Sequence, residues 1–417
     1  MSVMYLRGGR PLKGELTVHG AKNSVLPILA ACLLAGGPVT LHNCPRLTDV
    51  TAALDILRRL GCKAEQEGRR IVVDPTGAAG NAISEKQMQA MRSSIIFLGP
   101  LLARMGEAHL TYPGGCELGP RPIDLHLSAI RAMGCRITED HGIHCVGRPS
   151  GGEVYLALPS VGATENAMLC AVGAAGITTI SNAAREPEIG DLQSFLNSLG
   201  AHVRGAGSST ITVEGGQPLS GGEFHIMGDR IVAATLLSAA AAAGGQVRLR
   251  GIDWRHLATV LSVFHQAGCR VESRLEYVEL ERDRAAALKG VPTVRTAPYP
   301  GFPTDAQAIL MAALAGGEGA TLFVENIFDS RYRHVDELRR MGADIQVAGR
   351  TAMVTGVGRL HGASLRATDL RGGAALVVAA LGAEGTTRVS ELRHIRRGYQ
   401  DLDKNLRALG ADIREVP

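Results

Sequence analysis

Cys116 occupies the setting in this chain that most favours covalent chemistry. It lies in the segment YPGGCELGPRP, residues 112–122, where three glycines and three prolines exclude a helix or a central strand and so predict a loop. A thiol in such a loop is reachable by solvent, and the nearby guanidinium of Arg121 favours its thiolate. The segment therefore predicts a reactive thiol, with a small apolar residue in a turn as the competing interpretation.

The loop belongs to a unit that recurs six times. In each copy a helical stretch ends in a glycine and a strand-like run follows, and these glycines stand at positions 61, 134, 200, 268, 342 and 410. Upstream of each, a wholly apolar helix also ends in glycine before a β-branched strand. A helix without a polar face must be buried. We therefore predict an α/β fold of two domains, each with three repeated units of about 70 residues and buried helices.

Charged side chains recur at the starts of the apolar helices. These starts hold Lys22 with Asn23, Arg92, Thr164 with Glu165, Asp229 with Arg230, Asp305, and Asp369 with Arg371. An aspartate there is explained as a helix cap, whereas a cation opposes the helix dipole and needs another reason. Equivalent connectors of the repeat hold three further arginines, at 121, 331 and 397. Because helix starts bind anions and guanidinium suits phosphate and carboxylate, the pattern predicts a multiply anionic small-molecule ligand.

The composition argues against several other classes of protein. A formal net charge of +4 over 417 residues is weak for a nucleic-acid-binding protein. The apolar runs are shorter than the roughly 20 residues that span a bilayer, and the N-terminus lacks a signal-peptide core. Eight cysteines without paired CxxC spacing indicate neither a zinc site nor disulfides. We expect a cytoplasmic protein with no nucleic-acid or membrane partner, no cofactor and no metal; the sequence does not specify its oligomeric state.

Eight motifs spread over the whole chain carry a family resemblance. They are HGAKNSVLPIL (19–29), PGGCELGPRPIDLH (113–126), PSVGATENAM (159–168), NAAREPEI (182–189), RTAPYPGFPTDAQA (295–308), ENIFDSRYRHVDEL (325–338), ATDLRGGAAL (367–376) and HIRRGYQDLDKNLRALGA (394–411). Together they resemble the UDP-N-acetylglucosamine 1-carboxyvinyltransferases of the enolpyruvyl transferase family. The shikimate branch of that family shares the fold and many basic residues but lacks the cysteine loop, so PGGC is the discriminating motif.

The resemblance implies an architecture of two inside-out α/β barrels, with the helices inside, in agreement with the repeat. One domain would span residues 21–229 and carry the Cys116 loop. The other would combine residues 1–20 with 230–417. The active site would lie in the cleft between them, with the loop as a lid that closes over bound sugar.

The resemblance also implies a reaction. The enolpyruvyl group of phosphoenolpyruvate would move to the 3-hydroxyl of UDP-N-acetylglucosamine, by addition and then elimination of phosphate, in the first committed step of peptidoglycan precursor synthesis. The chemistry needs a base, an acid and cations. By motif, Asp305 would be the base and Asp369 would assist the proton transfers. Cys116 would be the proton donor and would also form a covalent adduct with phosphoenolpyruvate.

The binding residues that the motifs imply fall into three groups. The phosphate would be bound by Lys22, Arg121 and Arg397, and the carboxylate side by Arg331 and Arg371. The nucleotide sugar would be held by Asn23, Arg92, Arg121, Pro122, Ile123, Asp124, Leu125, Ser160, Val161, Gly162, Asp305 and Ile327. Leu158-Pro159 stand where some members carry a basic residue, so backbone groups alone would make that uridine-side contact. The nearby histidines, His126, His334 and His394, are interpreted as structural or outer-shell residues.

Two alternatives to this enzyme remain open. A 3-phosphoshikimate enolpyruvyl transferase is disfavoured by the cysteine loop. A non-catalytic nucleotide-sugar sensor should have lost acid, base or phosphate-binding groups, yet this chain retains Lys22, Cys116, Asp305, Asp369 and Arg397. Fosfomycin alkylates the loop cysteine of the family and so offers a direct probe of Cys116.

Overall fold

The computed structural model describes residues 2–114 and 123–416 and has the predicted α/β architecture. The described residues divide into two compact units. The N-terminal unit comprises residues 20–114 and 123–227, and the C-terminal unit comprises residues 2–19 and 228–416. The division thus falls at residues 20 and 228, beside the boundaries at 21 and 230 that the family resemblance implies.

Strands and helices alternate along the described chain. The strands are β1 (Val3–Arg7), β2 (Leu12–Thr17), β3 (Val39–His42), β4 (Lys63–Glu67), β5 (Arg70–Asp74), β6 (Ala82–Ile83), β7 (Glu107–Leu110), β8 (Arg136–Thr138), β9 (Ile143–Val146), β10 (Ser150–Tyr155), β11 (Ala175–Ser181), β12 (His202–Arg204), β13 (Thr210–Glu214), β14 (Gly222–His225), β15 (Gly245–Arg250), β16 (Arg270–Ser273), β17 (Tyr277–Arg282), β18 (Thr293–Arg295), β19 (Ala320–Val324), β20 (Asp344–Ala348), β21 (Thr351–Thr355), β22 (Ser364–Arg366), β23 (Thr386–Ser390) and β24 (Asp412–Val416).

The α-helices separate these strands. They are α1 (Lys22–Ala31), α2 (Thr48–Arg59), α3 (Glu85–Ala90), α4 (Leu98–Met105), α5 (Asp124–Ala132), α6 (Val161–Val172), α7 (Pro187–Ser198), α8 (Arg230–Ala243), α9 (Ala258–Gln266), α10 (Thr304–Ala315), α11 (Val335–Arg339), α12 (Leu370–Gly382), α13 (Arg393–Arg396) and α14 (Leu402–Ala408). Short 3-10 helices span Cys32–Leu34, Arg92–Phe97 and Trp254–Leu257. No helix in residues 2–114 or 123–416 is both long and apolar enough to cross a bilayer.

Each copy of the repeat forms one four-stranded sheet. The N-terminal unit has the strand orders β14-β3-β5-β4, β6-β7-β9-β8 and β10-β11-β13-β12, and the C-terminal unit has β2-β15-β17-β16, β18-β19-β21-β20 and β22-β23-β1-β24. In every sheet the first two strands are parallel and the remaining neighbours are antiparallel. In four of these sheets an apolar helix connects the parallel pair, as such a crossover requires. The parallel pairs β14–β3 and β2–β15 instead join strands from distant parts of the chain. The sixfold repeat predicted from the glycine spacing is therefore confirmed.

The N-terminal segment completes two sheets of the C-terminal unit. Strand β2 pairs in parallel with β15, from Leu12 opposite Gly245 to Thr17 opposite Arg250. Strand β1 lies between β23 and β24 and is antiparallel to both. The first residues of the chain therefore supply strands that the fourth and sixth copies lack.

The apolar helices are buried, as their lack of a polar face predicts. Every residue of α10 from Ala306 to Ala315 is buried, and α12 is buried from Arg371 to Leu381. The second helix of a copy is amphipathic instead: α2 buries Val50 and Leu54 but exposes Asp55, Arg58 and Arg59. Strands such as β17 alternate between buried and partly exposed residues, with one face on the helices. Each unit has its own continuous apolar core.

Left-handed residues begin several of the connectors between strands and helices. Asn43, Asn182, Gly251 and Glu391 each directly follow the second strand of a sheet, with φ of 59°, 57°, 73° and 60°. Two of these turns bring backbone against a glycine. A Cβ on Gly20 would lie 1.9 Å from the carbonyl oxygen of Asn43, and one on Gly228 would lie 1.9 Å from that of Gly251. These two glycines precede α1 and α8, so the close approach sets where both helices begin.

We expect Gly20→Ala to destabilise the protein by at least about 1–3 kcal/mol, because the new Cβ collides with backbone rather than with a movable side chain. Gly190 is the matched control: it lies within α7, and a Cβ there meets no atom within 4 Å. Gly190→Ala should be neutral or stabilising by up to about 1 kcal/mol, as helix propensity predicts. Urea unfolding of both variants measures the difference, and equal stabilities would contradict the close approach at Gly20.

Candidate active site

The predicted site residues fall into two groups, one in each unit. Cys116, Arg121 and Pro122 lie outside the described residues. The N-terminal unit holds Lys22, Asn23, Arg92, Ile123, Asp124, Leu125, Ser160, Val161 and Gly162, and the C-terminal unit holds Asp305, Ile327, Arg331, Asp369, Arg371 and Arg397. In both units these residues lie at starts of the apolar helices or in the connectors that follow a sheet's second strand.

Asp305 is clamped between two buried arginines. Arg331 donates from Nη2 to Oδ1 of Asp305 at 2.7 Å, and Arg371 donates from Nη2 and Nε to Oδ2 at 2.9 and 3.2 Å. The two arginine side chains are 2% and 3% exposed, whereas that of Asp305 is 27% exposed. The carboxylate is thus fixed in orientation by groups behind it and remains reachable from solvent, which suits a group that accepts a proton from a ligand.

Of the three aspartates at helix starts, two cap their helices and one does not. Asp229 and Asp369 are caps, since each accepts two backbone N–H bonds in the first turn of its helix, α8 and α12. Asp305 is not a cap: it is the second residue of α10, and Pro303 occupies the capping position. Asp305 therefore directs its carboxylate to two arginine side chains rather than to the first backbone N–H groups of its helix.

Arg371 is held at the start of α12 by an aromatic ring as well as by Asp305. Its guanidinium carbon lies 5.4 Å from the ring centre of Tyr399, whose hydroxyl is 2.8 Å from the hydroxyl of Thr235. Burial, the largest single influence, lowers the pKa of Arg371, but Asp305, Tyr399 and Asp229 together outweigh it and raise that pKa. Its Nη1 is buried and has no hydrogen-bond partner among the described residues. Arg371 therefore stays charged and keeps one donor unused.

Glu325 is a site residue that the sequence did not reveal. Its buried carboxylate accepts N–H bonds from Ile327 at 2.8 Å and Phe328 at 3.0 Å, and the hydroxyl of Thr304 donates to it at 3.0 Å. It thereby joins the first residue of α10 to the connector that carries Ile327 and Arg331. Arg331 strengthens the same junction, because its Nη2 also donates to the carbonyl of Thr304 at 2.9 Å. Glu325 opens the motif at 325–338, but no charge pattern there signals a junction.

Lys22 and its neighbours begin α1 in the N-terminal unit. The Lys22 ammonium lies 2.7 Å from the carboxylate of Asp49, and the two side chains are 11% and 3% exposed. Two residues on, Ser24 donates its hydroxyl to the carboxylate of Asp191. Burial raises the pKa of Asp191 to about 6. The predicted phosphate-binding lysine thus has a carboxylate partner, and a second carboxyl group that titrates near neutrality anchors the same helix turn.

Arg92 contacts the chain that leads into the Cys116 loop. Its Nη1 donates to the carbonyls of Pro113 at 3.3 Å and Gly114 at 3.4 Å. The predicted sugar-binding residue therefore also fixes the last described residues before the loop. Sequence spacing did not predict this contact, because 21 residues separate Arg92 from Pro113.

The turn at residues 160–162 packs against His126. Ser160 caps α6 through a bond from Ala163 N–H, and a Cβ on Gly162 would lie 3.0 Å from Cε1 of His126. Asn166 donates one amide N–H to the Ile95 carbonyl and the other to Nδ1 of His126, both at 3.0 Å. The neutral ring therefore carries its proton on Nε2. The structure thus brings the predicted sugar-binding segments at 123–125 and 160–162 together around a buried imidazole.

Two buried histidines are held neutral. Burial, and next the charge of Arg92, lower the pKa of His126 to about 4. Burial likewise lowers the pKa of His334 to about 4, because the opposing effect of Asp369 is smaller. A Cβ on Gly372 would lie 3.0 Å from Cβ of His334 and 2.6 Å from Oδ2 of Asp369, so this ring packs beside the cap of α12. Both histidines are thus buried and neutral, and the structural or outer-shell role predicted for them stays a prediction.

The fold is that of the enolpyruvyl transferases. Over 100% of this chain and 99% of the other, the structure matches the enolpyruvyl transferase NikO from Streptomyces tendae with a TM-score of 0.89 and 26% identity. It also matches EPSP synthase from Acinetobacter baumannii over 100% of both chains, with a TM-score of 0.77 and 19% identity. Residues 6–406 match the family EPSP synthase (3-phosphoshikimate 1-carboxyvinyltransferase), and the chain belongs to this family.

Within the family, relatives that share the name UDP-N-acetylglucosamine 1-carboxyvinyltransferase match this chain over nearly its whole length. UDP-N-acetylglucosamine 1-carboxyvinyltransferase 2 of Caldanaerobacter subterraneus subsp. tengcongensis is 48% identical over 99% of both chains. UDP-N-acetylglucosamine 1-carboxyvinyltransferase of Nitratidesulfovibrio vulgaris is 45% identical, again over 99% of both. The family resemblance and the enzyme class predicted from the motifs are confirmed by these relatives.

We expect His126 and His334 to stay neutral in the folded protein down to about pH 4. The unfolded chain takes up these protons near pH 6.5, so the stability of the fold should decrease as the pH falls from about 6.5 to about 4. NMR of ring-labelled histidines measures both pKa values, with His126→Gln to assign one signal. The same variant should show a shallower loss of unfolding free energy over this range. A His126 ring that titrates near pH 6.5 would be incompatible with its burial.

Proposed function

We propose that this protein transfers the enolpyruvyl group of phosphoenolpyruvate to the 3-hydroxyl of UDP-N-acetylglucosamine and releases phosphate. The observation that carries the proposal is the identity of 48% over 99% of the chain with a relative of that name. The PGGC loop supports this acceptor over 3-phosphoshikimate. The product is a precursor of peptidoglycan, so the enzyme serves cell-wall synthesis and, through it, cell shape and division.

The reaction needs a base at the acceptor hydroxyl, and Asp305 fits this role. Its carboxylate takes the proton of the 3-hydroxyl while the sugar oxygen bonds to C2 of phosphoenolpyruvate. The electrons of the C2–C3 double bond then take a proton at C3, donated by Cys116. In the second stage the C2–O bond to phosphate breaks and C3 returns a proton to the Cys116 thiolate, which restores the double bond in the product. The proton held on Asp305 passes to the departing phosphate. Asp369, at the start of α12, assists these proton transfers.

The described contacts best support the orientation of the proposed base, Asp305. Arg331 holds Oδ1 of Asp305 and Arg371 holds Oδ2, so the carboxylate is fixed in orientation while its side chain stays 27% exposed. The buried Nη1 of Arg371, which has no partner within the described part of the chain, is a suitable donor for the carboxylate of phosphoenolpyruvate. Arg371 thus acts both on the base and on the substrate.

The remaining cations neutralise the phosphate that leaves. Lys22, Arg121 and Arg397 are assigned to it by motif. Lys22 is paired with Asp49 at 2.7 Å, and a phosphate would share or replace that carboxylate partner. Asn23, Arg92 and the segments 122–125 and 160–162 are assigned to the nucleotide sugar, with Ile327 held in place by Glu325.

We assign the enzyme to the cytoplasm. The seven cysteines within the described residues are all buried and all free, as expected in a reducing compartment. Both substrates are small molecules, and no nucleic-acid or membrane partner is required for the reaction.

The direct test is phosphate release from phosphoenolpyruvate with each acceptor in turn. We expect turnover with UDP-N-acetylglucosamine and none with 3-phosphoshikimate. Asp305→Asn keeps the shape of the side chain but removes the base, so turnover should decrease about 10²–10⁴-fold. Asp336→Asn is the control, since that carboxylate is 84% exposed and pairs with Arg339 on the surface. Turnover with 3-phosphoshikimate alone would exclude the proposed acceptor, and an active Asp305→Asn enzyme would exclude the proposed base.

Fosfomycin should add to one cysteine only. The other seven cysteines are buried, and burial raises the pKa of several of them, among them Cys44 to about 12 and Cys269 to about 11. Intact-protein mass spectrometry should show one adduct per chain, with loss of activity. In Cys116→Ser the adduct should be absent and turnover greatly reduced. Several adducts on the folded protein, or an adduct on the serine variant, would show that Cys116 is not the reactive thiol.

A further inference from the structure

Two histidines and a glutamate form a compact cluster on the outer face of the second sheet. In β7 and β9 the buried residues are Ala108, Leu110, Ile143 and Cys145, and the residues between them face away from the core. The side chains of Glu107, His109 and His144 therefore share the outer face, and all three are 42–45% exposed. This cluster is separate from the predicted catalytic and substrate-binding residues.

The strand register places three ligand atoms around one point. His109 and His144 are direct cross-strand partners, and their rings stack with centres 4.1 Å apart and planes inclined by 16°. Nε2 of His109 lies 2.9 Å from Oε1 of Glu107, and Nε2 of His144 lies 3.2 Å from the same oxygen. The three ligand atoms all lie within 4.8 Å of one another. No other trio of this kind occurs in residues 2–114 and 123–416.

Asn81 holds the carboxylate from its other side. Its Nδ2 donates to Oε2 of Glu107 at 3.1 Å, so Oε1 alone faces the two imidazoles. Groups that orient a metal ligand in this way are a regular part of metal sites. The other two sheets of the N-terminal unit have simpler pairs, His42 with Glu223 and His202 with Glu214, each joining one imidazole to one carboxylate.

We propose that Glu107, His109 and His144 form a surface binding site for a divalent transition-metal ion, with Zn²⁺ as the expected occupant. Two imidazole nitrogens and one carboxylate oxygen are a ligand set of zinc sites, whereas Mg²⁺ and Ca²⁺ take oxygen ligands. Three protein ligands leave a coordination position open to water. A bound ion would link β7 to β9 by direct coordination. Because β7 leads into the segment at 111–114, the ion would stabilise the sheet that precedes the Cys116 loop.

The test uses the full-length protein with Zn²⁺ or Co²⁺ alone as the ligand. Isothermal titration with Zn²⁺ should give one site per chain, and Co²⁺ should give a visible spectrum without a thiolate charge-transfer band. His109→Ala and His144→Ala should each abolish binding or weaken it more than Asn81→Ala, for which we expect a loss of about 10-fold to 100-fold. His202→Ala is the matched control, because it removes an imidazole from a single His–Glu pair, and it should leave the affinity unchanged.

The reactive loop thiol is the main competitor for the metal, so each titration is repeated with Cys116→Ser. Binding that persists in this background and is lost with His144→Ala supports the proposed site. Absence of binding in the wild-type protein, binding lost only with Cys116→Ser, or binding unaffected by both histidine variants would each overturn it. Without metal, His144→Ala should retain wild-type unfolding temperature and phosphate-release activity. With Zn²⁺, only proteins that keep the site should gain thermal stability.

Discussion

The constraint on which this structure depends is that its central helices have no polar face. A helix such as α10, buried from Ala306 to Ala315, admits charge only at its ends. The starts of these helices are where backbone N–H groups remain unpaired and where anions are stabilised. Six copies of the repeat therefore offer six such starts, and each of them carries at least one charged side chain. The predicted site residues on these helices lie at the helix starts because the apolar core excludes charge from the rest of each helix.

Charge at these starts must be compensated locally, and the C-terminal unit does so with one carboxylate and two guanidiniums. Arg331 and Arg371 are 2–3% exposed, so each depends on Asp305 to offset the cost of its burial. Removing one partner of such a buried pair typically costs about 3–5 kcal/mol. The proposed base, held in this way, would need little reorganisation when it meets its substrate. The same ion pairs thus serve stability and orientation, and loss of activity at Asp305 must be separated from loss of fold.

The repeat in the sequence predicted the fold, but it did not predict the contacts between distant segments. The glycine spacing predicted six copies, and the apolar helix sequences predicted burial, because both patterns can be read from short stretches of the chain. The Asp305 clamp required that α10, α12 and a connector meet, and only the equivalence of the copies suggested that they would. Glu325 was missed because its partners are backbone N–H groups and one hydroxyl, which leave no charge pattern. The Glu107 cluster was missed because His144 joins it only through the β7–β9 register.

Both units bury a neutral imidazole, His126 in the N-terminal unit and His334 in the C-terminal unit. The ion pairs described at the helix starts of the C-terminal unit rest on guanidiniums, which stay charged at any ordinary pH. The N-terminal unit adds a carboxyl group, Asp191, whose pKa burial raises to about 6. The lowered pKa of His126 makes the fold more stable as the pH rises from about 4 to 6.5, whereas the raised pKa of Asp191 makes it less stable from about 4 to 6. The two contributions oppose each other within one unit, so a modest net slope there is compatible with large individual shifts.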